Sequence, residues 1–192
     1  EKGAGHIDWH NASGNALWKG VYLRDVLNYC EVDVEKGKHA EFVGADDYHT
    51  SIPFAKCIDV SGDTLLAWEM NGEPLLPDHG YPLRIVVPGW SSKCSSKWIK
   101  KISVQEKETE AHMYHNYYKW FPKHIKSATK QKDEVLATPP VTELNTNLVA
   151  FQPRNNAKVP ANGPVKVSGY CFTGGGRPVS RIEVSLDDGQ TW

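Results

Sequence analysis

The central strands are indicated first by residues 64–72, which read Thr64-Leu65-Leu66-Ala67-Trp68-Glu69-Met70-Asn71-Gly72. The apolar run has the length of a strand, and Asn-Gly is a strong signal for a tight turn after it. Residues 83–87 form a second apolar run that Pro88-Gly89 ends, and residues 98–104 return to extended structure. These three segments predict a sheet in the first part of the chain.

The surrounding segments add one more strand and two short helices. Residues 41–44 predict a brief strand, and residues 46–53 predict a polar loop that ends at a helix start near Pro53. Apolar positions spaced by about 3.6 residues between Leu17 and Leu27 predict a loop that leads into a short helix. The polar segment 106–140, with its aromatic clusters, connects this α+β unit to the last part of the chain.

After Val141 the pattern becomes all-β. Apolar and polar residues alternate over residues 165–171 and again over residues 181–186, and a triple glycine at 174–176 separates the two runs. An immunoglobulin-like sandwich needs about seven strands. We therefore expect two domains, residues 1–140 and residues 141–192, the second being the start of a β-sandwich whose remainder lies outside this sequence.

Charge and composition exclude several classes of protein. The 192 residues include 22 basic and 23 acidic side chains, which gives a net charge of −1. The chain therefore has no overall positive potential that would attract nucleic acid. No run approaches the roughly 18 apolar residues of a membrane span, so we expect a soluble protein. The four cysteines lie far apart without a C-x-x-C pair, which argues against a zinc ribbon or a disulfide framework. Any bound anion needs a local cluster of cations.

Such a cluster flanks the second predicted strand, residues 83–87. Residues 78–84 read Asp-His-Gly-Tyr-Pro-Leu-Arg, and after the apolar strand come Lys93, Ser95, Ser96 and Lys97. Guanidinium, imidazole, ammonium and hydroxyl groups are the donors that bind a phosphate ester. The pattern indicates a pocket for a phosphorylated cofactor. The alternative is that Arg84 and Lys97 are ordinary cations at strand ends and His79 is a turn residue.

A second candidate site combines imidazoles with tyrosines, namely His112, His115 and His124 with Tyr114, Tyr117 and Tyr118. Two histidines three residues apart can share one helical face, but no third ligand is adjacent, so the zinc hypothesis is weak. A tyrosine hydroxyl beside cations suits an oxyanion substrate. The alternative is that these rings only pack a connecting segment.

The chain resembles the sulfite oxidase family of molybdenum enzymes, which includes eukaryotic nitrate reductase. The similar stretches follow the family order, at residues 18–27, 65–75, 78–89, 97–98 and 174–192. The resemblance implies an α+β fold: the later half of a molybdopterin domain, followed by an immunoglobulin-like β-sandwich through which two copies form a homodimer. It also implies a molybdenum-molybdopterin cofactor.

The resemblance assigns roles to individual residues. It implies that Asp46, His79, Arg84 and the segment Ser95, Ser96 and Lys97 lie against the molybdopterin. It places Tyr118 at the family's active-site tyrosine, near the metal and the substrate. The cysteine that ligates molybdenum in this family matches none of Cys30, Cys57, Cys94 and Cys171, and is expected before Glu1.

Tyr118 resembles sulfite oxidases more than nitrate reductases, which implies oxidation of sulfite to sulfate by oxygen-atom transfer. Residues 143–147, Glu-Leu-Asn-Thr-Asn, look more like a nitrate reductase linker, so nitrate is the alternative substrate. A haem domain or haem protein outside this sequence would take the electrons, in the mitochondrial intermembrane space or the cytoplasm. A different class of function is a non-catalytic β-sandwich interaction module beside a cofactor-free domain.

Overall fold

The computed structural model describes residues 14–33, 35–126 and 130–192. Two compact units divide the chain, one of Ala16–Leu144 and one that includes Asn145–Trp192. The predicted first domain begins with residues that lie outside the described ranges. Among the described residues, no helix is both long and apolar enough to cross a membrane.

The first unit contains two sheets. The first sheet comprises β1 (Trp18–Tyr22), β4 (Leu65–Met70), β5 (Glu73–Pro74) and β6 (Arg84–Val86), with β1, β5 and β6 all antiparallel to β4. Asn71 and Gly72, at φ of 57° and 84°, form the tight turn between β4 and β5. Positive φ at both positions is what an Asn-Gly hairpin turn requires. The predicted strands at β4 and β6 and the turn after β4 are confirmed.

The second sheet has the order β3-β2-β7, with β2 at His39–Gly44, β3 at His49–Pro53 and β7 at Ile99–Gln105. The prediction of a loop throughout residues 46–53 was wrong, because residues 49–53 form β3. Thr50 and Ser51 are fully buried there, and the Ser51 hydroxyl accepts a hydrogen bond from the Thr109 amide at 2.9 Å. The polar residues did not predict a strand, because its formation depends on pairing with β2 and on burial rather than on local β-propensity. The helix after Pro53 is confirmed as α2, Phe54–Ile58.

The first helix starts later than the periodicity predicted. Residues 18–22 form β1, and α1 runs over Leu23–Tyr29 with Leu23 and Leu27 buried. Pairing with β4 decides this boundary. Gly20 lies so close to β4 that a Cβ on it would overlap the Leu66 carbonyl oxygen. The neighbouring strand, which the local 3.6-residue spacing does not reveal, therefore overrides the helical signal.

One hydrophobic core joins the helices to both sheets. Its fully buried members come from α1, β2, β3, β6 and the 3₁₀ turn Ser92–Cys94: Leu23, Ala40, Phe42, Ile52, Ile85 and Cys94. Because Ile85 is anchored in this core, its neighbour Arg84 stands at the core's rim. The segment after β7 forms α3 (His112–Asn116) and α4 (Lys132–Ala137), with Tyr114 buried.

The second unit contains β8 (Asn147–Gln152) and β9 (Ser168–Phe172), paired antiparallel. The prediction of a strand at residues 181–186 was wrong: these residues form no strand, and Ile182 and Leu186 are 58% and 97% exposed. Alternation of apolar residues marks a potential strand, but a strand also needs a neighbour for its backbone hydrogen bonds. The described residues of this unit provide none for residues 181–186.

Candidate functional site

A cavity of about 400 Å³ opens in the first unit between the β2–β3 loop, β6 and the segment that precedes β7. Its lining combines three cations with one carboxylate, three serines, two tyrosines and a tryptophan: Asp46, Tyr48, Arg84, Ser92, Lys93, Ser95, Ser96, Lys97, Trp98 and Tyr118. Such a volume is in the range of small-molecule and cofactor sites. Six of the seven site residues predicted from the sequence line this cavity; the seventh, His79, does not.

Arg84 begins β6 and holds one wall of the cavity. Its Nη1 donates to the His79 carbonyl at 2.9 Å and its Nη2 donates to the Ser95 carbonyl at 3.3 Å. The guanidinium lies 4.8 Å from the centroid of the Trp18 ring. Its Nε is buried without a hydrogen-bond partner among the described residues. Burial lowers the pKa of Arg84, but the pKa of an arginine is so far above neutral that the group stays charged.

Lys97 and Trp98 face the same 3₁₀ turn, Pro77–His79. Lys97 Nζ donates to the Asp78 carbonyl at 2.9 Å, and Trp98 Nε1 donates to the Pro77 carbonyl at 2.8 Å. Gly80 ends this turn at a φ of 104°, where a Cβ would lie 3.0 Å from Lys97 Cβ and 3.1 Å from Arg84 Cβ. The glycine therefore allows the turn to approach both cations closely.

Ser95 and Ser96 connect the cation cluster to β6. Ser95 Oγ accepts a hydrogen bond from the Val87 amide at 3.1 Å, and the Ser96 carbonyl accepts one from the Ile85 amide at 2.8 Å. Ser96 is only 2% exposed, and its hydroxyl finds no hydrogen-bond partner in the part of the chain that the structure describes. Its backbone is thus fixed while its hydroxyl is left available for a ligand.

At the Tyr118 side of the cavity, Lys93 is buried among tyrosines. It is 5% exposed, and its Nζ lies 3.8 Å from the centroid of the Tyr114 ring and 5.9 Å from that of Tyr118. That ammonium also lacks a hydrogen-bond partner within the described ranges, and burial lowers its pKa to about 8. Tyr48 donates its hydroxyl hydrogen to the Lys93 carbonyl at 3.2 Å, and burial raises the pKa of Tyr48.

The remaining predicted residues have weaker ties to the cavity. Asp46 is exposed on the β2–β3 loop, where its Oδ1 accepts a hydrogen bond from the Tyr48 amide at 3.2 Å. His79 contributes its carbonyl to the Arg84 guanidinium, but its side chain is not part of the lining. The cofactor role of the His79 imidazole stays a prediction.

The alternative zinc site at the histidines has no support in the geometry. His112 packs edge-on against Tyr117 at 5.6 Å between centroids, and His124 Nε2 lies 3.0 Å from a Glu134 carboxylate oxygen. Within residues 14–33, 35–126 and 130–192, no group of three or more His, Cys, Asp or Glu side chains could hold a metal ion.

Four lining residues were not singled out as site residues from the sequence, namely Tyr48, Ser92, Lys93 and Trp98. Lys93 was part of the cation pattern, but nothing in its neighbours signalled burial. The 3₁₀ turn Ser92–Cys94 inserts it under Tyr114. Trp98 has a φ of 51°, and its indole donates to the Pro77 carbonyl. The local sequence predicts neither the burial of Lys93 nor the contact that Trp98 makes.

The donors of the cavity specify an anionic ligand. Arg84 Nε, Lys93 Nζ and Ser96 Oγ are all buried and unpartnered among the described residues, and burying a polar group without a partner costs about 1–3 kcal/mol. Three such groups in one cavity are accounted for by a ligand that accepts hydrogen bonds from them. A pterin that carries a phosphate ester meets this requirement for Arg84 and Ser96, because its phosphate oxygens are strong acceptors for guanidinium and hydroxyl groups.

Comparison with known families agrees with this donor set. Residues 2–113 match the oxidoreductase molybdopterin binding domain, and residues 138–192 match the Mo-co oxidoreductase dimerisation domain. The sulfane dehydrogenase SoxCD from Paracoccus pantotrophus is similar in structure, with a TM-score of 0.72 and 29% identity over 93% of this chain and 43% of that one.

Two relatives illustrate the similarity in sequence. The mitochondrial sulfite oxidase of Drosophila melanogaster is 38% identical, with 94% of this chain covering 33% of its length. Nitrate reductase [NADH] 2 of Phaseolus vulgaris is 36% identical, with 97% of this chain covering 23% of its length. The chain thus spans between a fifth and a third of these relatives. It belongs to the sulfite oxidase family of molybdopterin-binding oxidoreductases, the family that includes nitrate reductase.

Proposed function

We propose that this chain forms the cofactor-binding part of a molybdenum enzyme that oxidises sulfite to sulfate. The observation that carries the proposal is the convergence of buried, unpartnered donors with Tyr118 in one cavity of the described chain. Tyr118 occupies the place at which the sequence resembles sulfite oxidases. The similarity to a sulfite oxidase over 94% of the chain supports the same assignment.

Two groups of residues would hold the molybdopterin. Arg84, Ser96 and Lys97 would bind its phosphate through charge-assisted and hydroxyl hydrogen bonds. The carbonyls of Asp78, His79 and Ser95 already orient the two cations for this role. Asp46 would accept hydrogen bonds from pterin N–H groups at the loop, and His79 and Ser95 would complete the wall.

When bound, the molybdenum cofactor supplies the two-electron oxidation and the oxygen transfer. The protein residues bind and orient the reactants. Tyr118 would donate its hydroxyl hydrogen to an oxygen of the sulfite anion, which positions the sulfur and offsets part of the anion's charge. The cations around the cavity would stabilise the anionic reactant and product.

Nitrate is the second candidate substrate. The chain is 36% identical to a nitrate reductase over nearly its whole length, and residues 143–147 resemble the linker of that enzyme. Nitrate is also a small oxyanion, so the same cations would suit it. The match of residues 2–113 to a molybdopterin binding domain favours either enzyme over a non-catalytic interaction module.

Partners are suggested by the second unit. We place the domain boundary at 140/141, near the division between the compact units at Leu144 and Asn145. Leu148 and Val184 are 58% and 53% exposed, and the match to a dimerisation domain supports a homodimer that uses this unit.

A haem domain or protein would accept the electrons, and the mitochondrial intermembrane space or the cytoplasm is the expected compartment.

Metal analysis of the purified full-length protein is the first test. We expect about one molybdenum per chain, together with turnover of sulfite in a steady-state assay with an artificial electron acceptor. Turnover of nitrate without turnover of sulfite would instead establish the alternative. A protein without molybdenum would contradict both enzyme assignments.

Tyr118→Phe tests the proposed substrate contact. Loss of one hydrogen bond to a charged group costs about 1.5–3 kcal/mol, so kcat/KM for sulfite should fall by about 10- to 150-fold. Tyr117→Phe is the matched control, because Tyr117 is 55% exposed and does not line the cavity. Equal kcat/KM values for the two variants would show that the Tyr118 hydroxyl does not act on the substrate.

A further inference from the structure

Lys93 is a buried cation that has no carboxylate within ion-pair distance among the described residues. The residue is only 5% exposed, yet its Nζ makes no hydrogen bond there. A buried ammonium is costly unless it is paired or finds a ligand. The tyrosine faces at 3.8 and 5.9 Å stabilise the cation without consuming its hydrogen-bond donors. All three N–H donors therefore remain for a molecule that enters the cavity.

The cations of the cavity fall into two groups by the contacts they make. Arg84 and Lys97 are held by the carbonyls of the Pro77–His79 turn and Ser95. Lys93 instead stands against Tyr114 and Tyr118, and its backbone carbonyl is held by Tyr48. Lys93 thus lies beside the tyrosine proposed to contact the substrate, and it shares none of the contacts of the cations proposed for the phosphate.

The charges around Lys93 leave its surroundings positive near neutral pH. Burial lowers the pKa of Lys93 to about 8, so Lys93 is protonated in most molecules at pH 7. Glu108 favours the charged form, and its carboxylate receives the Tyr114 hydroxyl hydrogen at 3.3 Å. Lys119 opposes the charged form, and Cys94, whose pKa burial raises to about 11, is neutral at this pH.

From this placement we propose that Lys93 binds the oxyanion substrate directly, as a cationic anchor that sits beside Tyr118. The proposal rests on the proposed function and adds a specificity-determining residue to it. A small oxyanion between Lys93 and Tyr118 would accept hydrogen bonds from both side chains, one charged and one neutral. The ligand class is a compact inorganic oxyanion such as sulfite, or the sulfate that its oxidation yields.

Sulfate binding to the molybdenum-loaded, full-length protein tests the proposal without relying on turnover. The measurement is the Kd for sulfate by titration calorimetry at pH 7 and constant ionic strength. Lys93→Met should weaken sulfate binding at least about tenfold, because it removes one charge-assisted contact. Lys93→Arg should restore most of the affinity. Lys101→Met is the matched control, since Lys101 is exposed on β7 outside the cavity, and its Kd should equal that of the wild type.

Molybdenum content and kinetics separate the possible failures. In support of the proposal, Lys93→Met keeps the metal and raises KM for sulfite more than it lowers kcat. An unchanged Kd for sulfate in a fully loaded Lys93→Met protein would overturn it and leave the proposed function intact. Loss of molybdenum with unchanged sulfate affinity in the loaded fraction would also overturn it, by assigning Lys93 to the cofactor. If the wild type contains no molybdenum but binds sulfate, and Lys93→Met weakens that binding, then the proposed function is wrong and the role of Lys93 in oxyanion binding stands.

Discussion

The two compact units differ in how they cover their sheets. In residues 16–144, helices and two sheets enclose a core whose members Phe42, Ile52 and Ile85 are fully buried. In residues 145–192, one strand pair is described, and the apolar side chains Ile182 and Leu186 remain 58% and 97% exposed. The buried apolar side chains of the described chain all belong to the first unit. Strand pairing alone therefore does not make a core; a second layer is needed.

The largest expected effect compares the same substitution in both units. Ile52→Ala should lower the free energy of unfolding by about 2–5 kcal/mol, because it leaves a cavity in a closed core. Ile182→Ala should change it by less than about 0.5 kcal/mol, since that side chain is already largely in water. Denaturant unfolding followed by far-ultraviolet circular dichroism reports both units. Equal losses would show that residue 182 is buried in solution.

A glycine pair tests whether the strand pairs themselves are alike. Gly20 in β1 and Gly169 in β9 each face the backbone of the adjacent strand, where a Cβ would overlap the carbonyl oxygen of Leu66 or Val149. Each alanine variant should cost about 1–3 kcal/mol through overpacking of its own pair. Gly14→Ala is the control, because a Cβ there meets nothing within 4 Å. Hydrogen exchange of the strand amides locates the loss, and a neutral Gly169→Ala would show that β8 and β9 separate readily.

The buried charge of the first unit predicts an alkaline dependence of stability. The pKa of Lys93 is lowered by burial from 10.5 to about 8. Between these values the unfolded chain binds more protons than the folded one, so the free energy of unfolding should rise from pH 8 to 10.5, and the full cost of the buried charge is present below pH 8. Cofactor-free protein unfolded by urea across this window provides the measurement. Lys93→Met should abolish the contribution and Lys101→Met should retain it; a rise of equal size in both would assign it to other groups.

The second unit predicts a smaller, acidic dependence. Hydrogen bonds from Thr191, and then from Ser185 and Gln190, lower the pKa of Asp187 from 3.8 to about 2. Stability from this loop is therefore complete above pH 3.8 and is lost as pH falls toward 2. A carboxyl titration by nuclear magnetic resonance checks the pKa directly. Asp187→Asn should remove this acid limb, whereas Asp188→Asn should preserve it. An Asp187 carboxyl that titrates near 3.8 would show that the loop is open in solution.

The cation pattern around β6 was predictable from residue types and their order. Arg84, Ser95, Ser96 and Lys97 flank one apolar strand and line the cavity, whereas Asp46 and Tyr118, which also line it, were predicted only from the family resemblance. The contribution of Lys93 was not predictable, because its importance comes from burial beneath Tyr114, a residue from another element further along the chain. Sequence identifies a cation, but only packing determines whether that cation is solvated or held ready for a ligand.

The strands were predictable where their pattern was local, as in β4 with its Asn-Gly turn. They were not predictable where a partner decided the outcome. Residues 49–53 form β3 despite two polar residues, and residues 181–186 form no strand despite clean alternation. Backbone hydrogen bonds to a neighbouring strand supply or withhold the stabilisation in each case.

The amino-acid sequence by itself determined the family, the turn positions and the set of cations offered to an anion, since each depends on residue identity and short spacing. The tertiary structure alone decided which cations are desolvated and which groups each of them contacts. The physical reason is that desolvation and cation–π contacts depend on atoms distant in the chain. Lys93 against Tyr114 and Tyr118, and Arg84 against the carbonyls of His79 and Ser95, are the result of that packing.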